Sequence, residues 1–160
     1  MKKILVATDG SESAAEAVQL GVSLAGQYDA ELIFVHVVPA LDLVPATWFG
    51  VGGAFPHEPT PAEGALLEDA AAVAEAQGVF STTTLLIGDA VDEIVAYADS
   101  HDIDLIVVGS RGHGAIANTF LGSVSRGILQ ESTRPVLVAR GGPADHSPDV
   151  RRLAGIGLGF

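Results

Sequence analysis

The stretch GSRGHGAIANTFLGS, residues 109–123, gathers groups that could grip a phosphate. Gly109 and Gly112 permit positive φ or a close approach of the main chain to another group. Their N–H groups can form an anion-binding nest. Gly122 and Ser123 open a helical pattern, and a helix N-terminus offers unpaired N–H donors and a partial positive charge. The hydroxyls of Ser123 and Ser125 can add hydrogen bonds, and Arg111, His113 and Arg126 are the nearby cations. Two anion-binding devices thus bracket one loop. Taken singly, each has a plainer use: Gly109 can end a strand, and Ser123 can cap a helix. Near the start of the chain, ATDGSES offers Asp9 as a second chemical group, or as an ordinary turn residue.

These residues need a frame. Five strand-like runs are visible, at 3–8, 30–38, 79–87, 103–109 and 135–139. All but the third are nearly continuously apolar, as expected of parallel strands covered on both faces. Helical patterns lie between them. The first, SESAAEAVQLGVSLAGQY, carries Ser13 and Glu16 at capping-box spacing, with Ala17, Leu20, Val22 and Leu24 as apolar positions. The second has Thr60 as N-cap, Pro61 at the first helical position, Glu63 to complete the box and Gly78 as the stop. The third starts at Asp89 and turns Val91, Ile94, Val95 and Ala98 inward; the fourth, SVSRGILQEST, is ended by Pro135.

Regular β-α alternation predicts an α/β fold: a single doubly wound, five-stranded parallel sheet with helices on both faces. Ligands of such sheets bind beyond the carboxyl ends of the strands, where strand order reverses. If the first and fourth runs are neighbours there, Asp9 faces the glycine loop across one crevice. Residues 39–59, rich in glycine and proline and holding Trp48, read as a long loop, either packed on the surface or lying over a site. Residues 141–160 read as a tail beyond a domain spanning 1–140, with an apolar end that could dock on a partner.

Gly109, Gly112, Gly122 and Ser123 fit the pattern G-x-x-G-x9-G-[ST], and the chain here resembles the universal stress protein family. The flanks KILVATDGSESAAEAV, VHVV and SVSRGILQESTRPVLVAR carry the likeness over nearly all of residues 2–140. The resemblance implies strand order 3-2-1-4-5 and an ATP site. It implies Asp9 and the backbone near Ala7 and Thr8 at the adenosine end, and Val37 lining the adenine pocket. It implies Val108 and Gly109 on the ribose side, and Gly112, His113, Gly122, Ser123, Val124 and Ser125 around the phosphates. Mg²⁺ or Mn²⁺ would accompany the triphosphate. A homodimer through the last strand, PVLVA, is also implied.

Composition bounds the alternatives. The formal charge of −12, with Lys2 and Lys3 as the sole lysines, disfavours nucleic acid and anionic membranes as partners. The acidity reads as solubility charge or as adaptation to a saline cell. Without cysteine there is no disulfide framework, thiol nucleophile or cysteine zinc site. No apolar run reaches the roughly 20 residues that span a bilayer, and the opening apolar run is short for a secretory signal. A soluble cytoplasmic protein is the expectation. The five histidines lack H-x3-H or H-E-x-x-H spacing. There is no G-x-G-x-x-G fingerprint after the first strand, no G-x4-G-K-[ST] and no G-x-S-x-G. A phosphoacceptor receiver domain would share the sheet, yet would need a lysine ending the fifth strand, where LVAR stands. Three functions remain: a nucleotide-binding regulatory or stress-response protein, a slow ATPase or nucleotide-dependent transferase with Asp9 or His113 as proton acceptor, and a ligand-free interaction scaffold.

Overall fold

A computed structural model describes residues 1–46, 50, 52–111 and 121–140. The five expected strand runs form one sheet. β1 (Lys3–Ala7), β2 (Glu31–Val38), β5 (Ser81–Ile87), β6 (Leu105–Gly109) and β7 (Val136–Ala139) lie in the order β5-β2-β1-β6-β7. Every pairing is parallel. Counting only these five strands, the order is 3-2-1-4-5, as expected. The chain winds outward from β1 to β5, then returns to β6 on the other side of β1. The reversal therefore falls between β1 and β6.

Alternate side chains of the strands feed two cores, because strand residues point to opposite faces in turn. On one face Ile4, Val6, Leu32, Phe34 and Val107 pack with Ala17, Val18 and Val22 of α1 (Glu12–Tyr28) and Leu67, Ala70 and Ala74 of α2 (Pro61–Ala76). On the other, Leu5, Ile33, Val35, Ile106 and Val108 pack with Ile94 and Ala98 of α3 (Ala90–Ser100) and Ile128 of α4 (Ser123–Glu131). Burial on both faces explains why β1, β2 and β6 are almost continuously apolar. No described helix is long and apolar enough to cross a membrane.

The caps of α2 and α3 follow the sequence. Thr60 and Glu63 form a reciprocal capping box with Pro61 in the first turn, and the Asp89 side chain accepts from the N–H groups of Val91 and Asp92. Two expectations are corrected. The N-cap of α1 is Ser11, which accepts from the Ala14 N–H, and not Ser13 with Glu16. Ser13 lies inside the helix, buried, with its hydroxyl turned to Arg111. Residues 39–59 are not loop throughout. They contain β3 (Leu41–Val44) and β4 (Gly53–Pro56), an antiparallel pair apart from the main sheet. Its strands are four residues each and mostly exposed, so no buried face imposes a period-two pattern on the sequence.

Candidate functional site at the strand-order reversal

The carboxyl ends of β1 and β6 define the site. Beyond β1, Thr8 is buried, and its N–H donates to Val35 O at 2.9 Å. His36 Nδ1 donates to Thr8 O at 2.8 Å, which fixes the ring and leaves Nε2 as its second nitrogen. Asp9 follows, and its Oδ1 accepts from the Ser11 N–H at 2.9 Å. This turn starts α1, so the direction of the helix and the placing of the Asp9 carboxylate are set by the same few bonds. Gly10 has φ of +77°, and a Cβ there would meet Leu66 Cδ2 at 2.5 Å. Glycine thus suits this turn for both conformation and space.

Across the reversal, Gly109 ends β6. An added Cβ would lie 2.6 Å from the carbonyl carbon of Ser13. Its missing side chain is therefore explained by the close approach of α1. That contact links the two halves of the site. The Arg111 N–H donates to Ser13 Oγ at 3.1 Å. The Ser11 hydroxyl donates to Arg111 O at 3.2 Å, and Ser13 Oγ touches the same carbonyl. Two hydroxyls from the start of α1 thus hold the peptide groups of Arg111, where the glycine loop begins.

The far end of the loop returns to the same place. The Gly122 N–H donates to Ser110 O at 2.7 Å, and the Ser110 N–H donates to Ala139 O at 2.7 Å. The buried Ser125 hydroxyl adds bonds to Ser110 O at 3.2 Å and Gly122 O at 3.1 Å. Gly122 is the N-cap of α4 and makes no side-chain cap. The N–H groups of Ser123, Val124 and Ser125 occupy the first turn, where an α-helix provides no internal acceptors. They stand one strand away from Asp9. Arg126 folds back so that its guanidinium donates to Leu121 O at 3.3 Å.

Three expected lining residues share a face. Val108 is buried in the core beside α3 and α4, and Ala7 and Val37 pack against that same core. A cleft of about 220 Å³ opens on the opposite face, between α1 and α2. It touches Thr8, Gly10 and Ser11 but none of those three, so it borders the site and is distinct from it. Gly112 and His113 lie outside the described residues.

A family model described as the universal stress protein family matches residues 1–140. The chain belongs to the universal stress protein family. A universal stress protein of Bacillus subtilis is 36% identical over 145 residues, spanning 86% of this chain and 98% of that one. Another, from Methanocaldococcus jannaschii, is 33% identical over 143 residues, spanning 87% and 82%. Among solved structures, a universal stress protein in complex with cAMP aligns with a TM-score of 0.66 at 29% identity, covering 88% of this chain and 98% of that one.

Within this universal stress protein fold, sequence reasoning missed His36, Ser11, Ser13 and Ser110 as supports of the site. His36 had a signal, since it is the one polar side chain in LIFVHVV. The Ser11 and Ser13 contacts had none, because they join residues about one hundred positions apart, and Ser110 acts through its backbone, which leaves no mark of residue type.

Proposed function

We propose that this protein binds an adenine nucleotide at the β1–β6 crevice and acts as a nucleotide-holding regulatory protein of the stress-response type. The observation that carries the reading is the bond from the Gly122 N–H to Ser110 O, which brings the start of α4 to the end of β6. The first-turn N–H groups of α4 and the Asp9 carboxylate then face the same reversal, as a phosphate and a sugar would require. Ala7 and Val37, both half-buried, supply apolar surface on one side for a base, packed against the core that holds Val108. The related structure solved with cAMP supports an adenine nucleotide as the ligand class.

In this reading Asp9 and the backbone of Ala7 and Thr8 hold the adenosine, Val37 touches the base, and Val108 and Gly109 border the ribose. Arg111, Gly112, His113, Gly122, Ser123, Val124 and Ser125 surround the phosphates. Ser125 contributes through its N–H, since its hydroxyl already serves Ser110 and Gly122. Among the described residues no group of three or more His, Cys, Asp or Glu could hold a metal ion. Mg²⁺ or Mn²⁺ fits here as the companion of a triphosphate, held by phosphate oxygens and water, with Asp9 the carboxylate at hand. β7 forms an edge of the sheet and could pair with a second copy of the chain.

Isothermal titration tests the site. ATP with and without Mg²⁺, AMP and cAMP are titrated into the protein and into Gly122→Val. Binding of at least one nucleotide, weakened tenfold or more by a valine between Ser110 and the helix start, is the expected result. No heat with any of them at millimolar concentration overturns the function. Unchanged affinity in a folded Gly122→Val overturns the site.

A further inference from the structure

We infer that the β3–β4 hairpin is a latched arm, held to the start of α2 by His57 in its imidazolium form and set loose when the ring gives up its proton. His57 follows β4 directly. Its Nδ1 lies 2.9 Å from Asp42 Oδ1 on β3, and its Nε2 lies 3.1 Å from the Glu63 carboxylate on α2. A neutral imidazole has one N–H and one lone pair. It can donate to one of these carboxylates but must then turn its lone pair on the other. Only the imidazolium donates to both, so the geometry itself names the charge state.

The surroundings reinforce that choice. The His57 side chain is 9% exposed, which leaves little room for water to replace a lost bond. Glu63 cannot turn away cheaply, since it also accepts from the Thr60 N–H at 2.7 Å and the Thr60 hydroxyl at 3.0 Å. The charged groups facing the ring are Asp42 from β3 and Glu63 from α2, with Glu58 next in the chain. Among the described residues neither carboxylate has a lysine or arginine partner. The hairpin has little else to hold it. Leu41, Leu43 and Phe55 are exposed, Leu43 by 82%. The His57 N–H to Ala40 O bond, 3.0 Å, closes its base. Among the described residues, the hydrogen-bonded tie between the hairpin and α2 runs through the His57 ring.

The Asp42 and then the Glu63 hydrogen bonds hold the His57 pKa above its ordinary 6.5. The Thr60 N–H first, and then His57, hold the Glu63 carboxyl below its ordinary 4.5. For the raised histidine, the contribution is complete below the unfolded value and is lost as pH rises through the folded one. For the lowered glutamate, it is present above the unfolded value and lost as pH falls through the folded one. The latch therefore holds in mildly acidic solution and lets go as pH rises through the raised value of His57.

Hydrogen exchange of residues 41–44 and 53–56, corrected for intrinsic rates, tests this between pH 5.5 and 8.5, with the His57 ring followed by NMR in the same samples. Protection of the hairpin should fall by about tenfold for each unit separating the folded and unfolded pKa. Its midpoint should track the His57 ring, while β1 and β6 keep their protection. His57→Gln should be as unprotected at pH 6 as the parent is at pH 8.5, and Asp42→Asn should lower the ring's pKa. Hairpin protection that ignores pH, an undiminished pH response in His57→Gln, or a ring titrating below 6.5 would each overturn the latch. None of these readouts involves nucleotide, so the result stands apart from the proposed function.

Discussion

The two ends of the sheet are fastened by different chemistry. Where the strands begin, charges do the work. Asp104 accepts the N–H groups of Lys2 and Lys3 at 2.5 and 3.0 Å. Arg134 donates to Asp99 at 3.1 Å and to Ile103 O at 3.2 Å, with Thr133 also on Asp99. Where the strands finish, peptide groups and hydroxyls do most of the work: Ser11 and Ser13 on Arg111, Gly122 on Ser110, Ser125 on both, with the His36 ring on Thr8 and the Asp9 carboxylate on Ser11 beside them. Ionic ties respond to acid and to salt, whereas neutral ones answer mainly to shape. The end that carries the candidate site thus leans mainly on close fit, and the other end on titratable charge.

The largest test of this contrast is Gly109→Val. A side chain at 2.6 Å from the Ser13 backbone must push α1 away, at a cost of about 3 kcal/mol. Urea unfolding should show it, and a loss below about 1 kcal/mol would mean that the strand-finish end is slack. Ser125→Ala comes next. It removes a buried hydroxyl from the base of the glycine loop and should cost about 1 kcal/mol, with nucleotide affinity falling as well because the base of the loop is loosened. Stability lost with affinity kept would make Ser125 merely structural. At the opposite end, Arg134→Ala should lower Tm by about 3 °C and leave nucleotide affinity alone. The smallest effect is in the acid range. Arg134 holds Asp99, and the Lys2 and Lys3 N–H groups hold Asp104, below the usual carboxylate value of 3.8. Their contribution is present above that value and is lost as pH falls through the lowered ones. Asp104→Asn should therefore flatten the fall in stability between pH 5 and pH 3, and an unchanged slope would remove Asp104 from the account.

The same division explains what could be read in advance. The sheet was legible because β1, β2 and β6 are buried on both faces, and burial leaves a continuous apolar record in the sequence. The glycine–serine pattern and the Asp9 turn could be singled out because each is a local feature of the chain. The caps of α2 and α3 were legible for the same reason, since an N-cap and the N–H groups that donate to it lie within three residues. Ser13 was misread as a cap because local spacing suggested one, while a partner ninety-eight residues away had the stronger claim. The hairpin was missed because exposed four-residue strands leave no burial pattern. His57 is the clearest case: its partners are fifteen and six residues away, on two different elements, and neither spacing is a motif.

The bond between Gly122 and Ser110 has a consequence for how this protein could be altered. It makes the stretch between them a closed excursion whose two ends are one hydrogen bond apart. Through these bonds the sheet, α1 and α4 register those ends. Doubling the length of that stretch would add only about 0.6 kcal/mol of closure entropy. On that entropy alone, the eleven residues between Ser110 and Gly122 could be recut to another length at little cost to the scaffold.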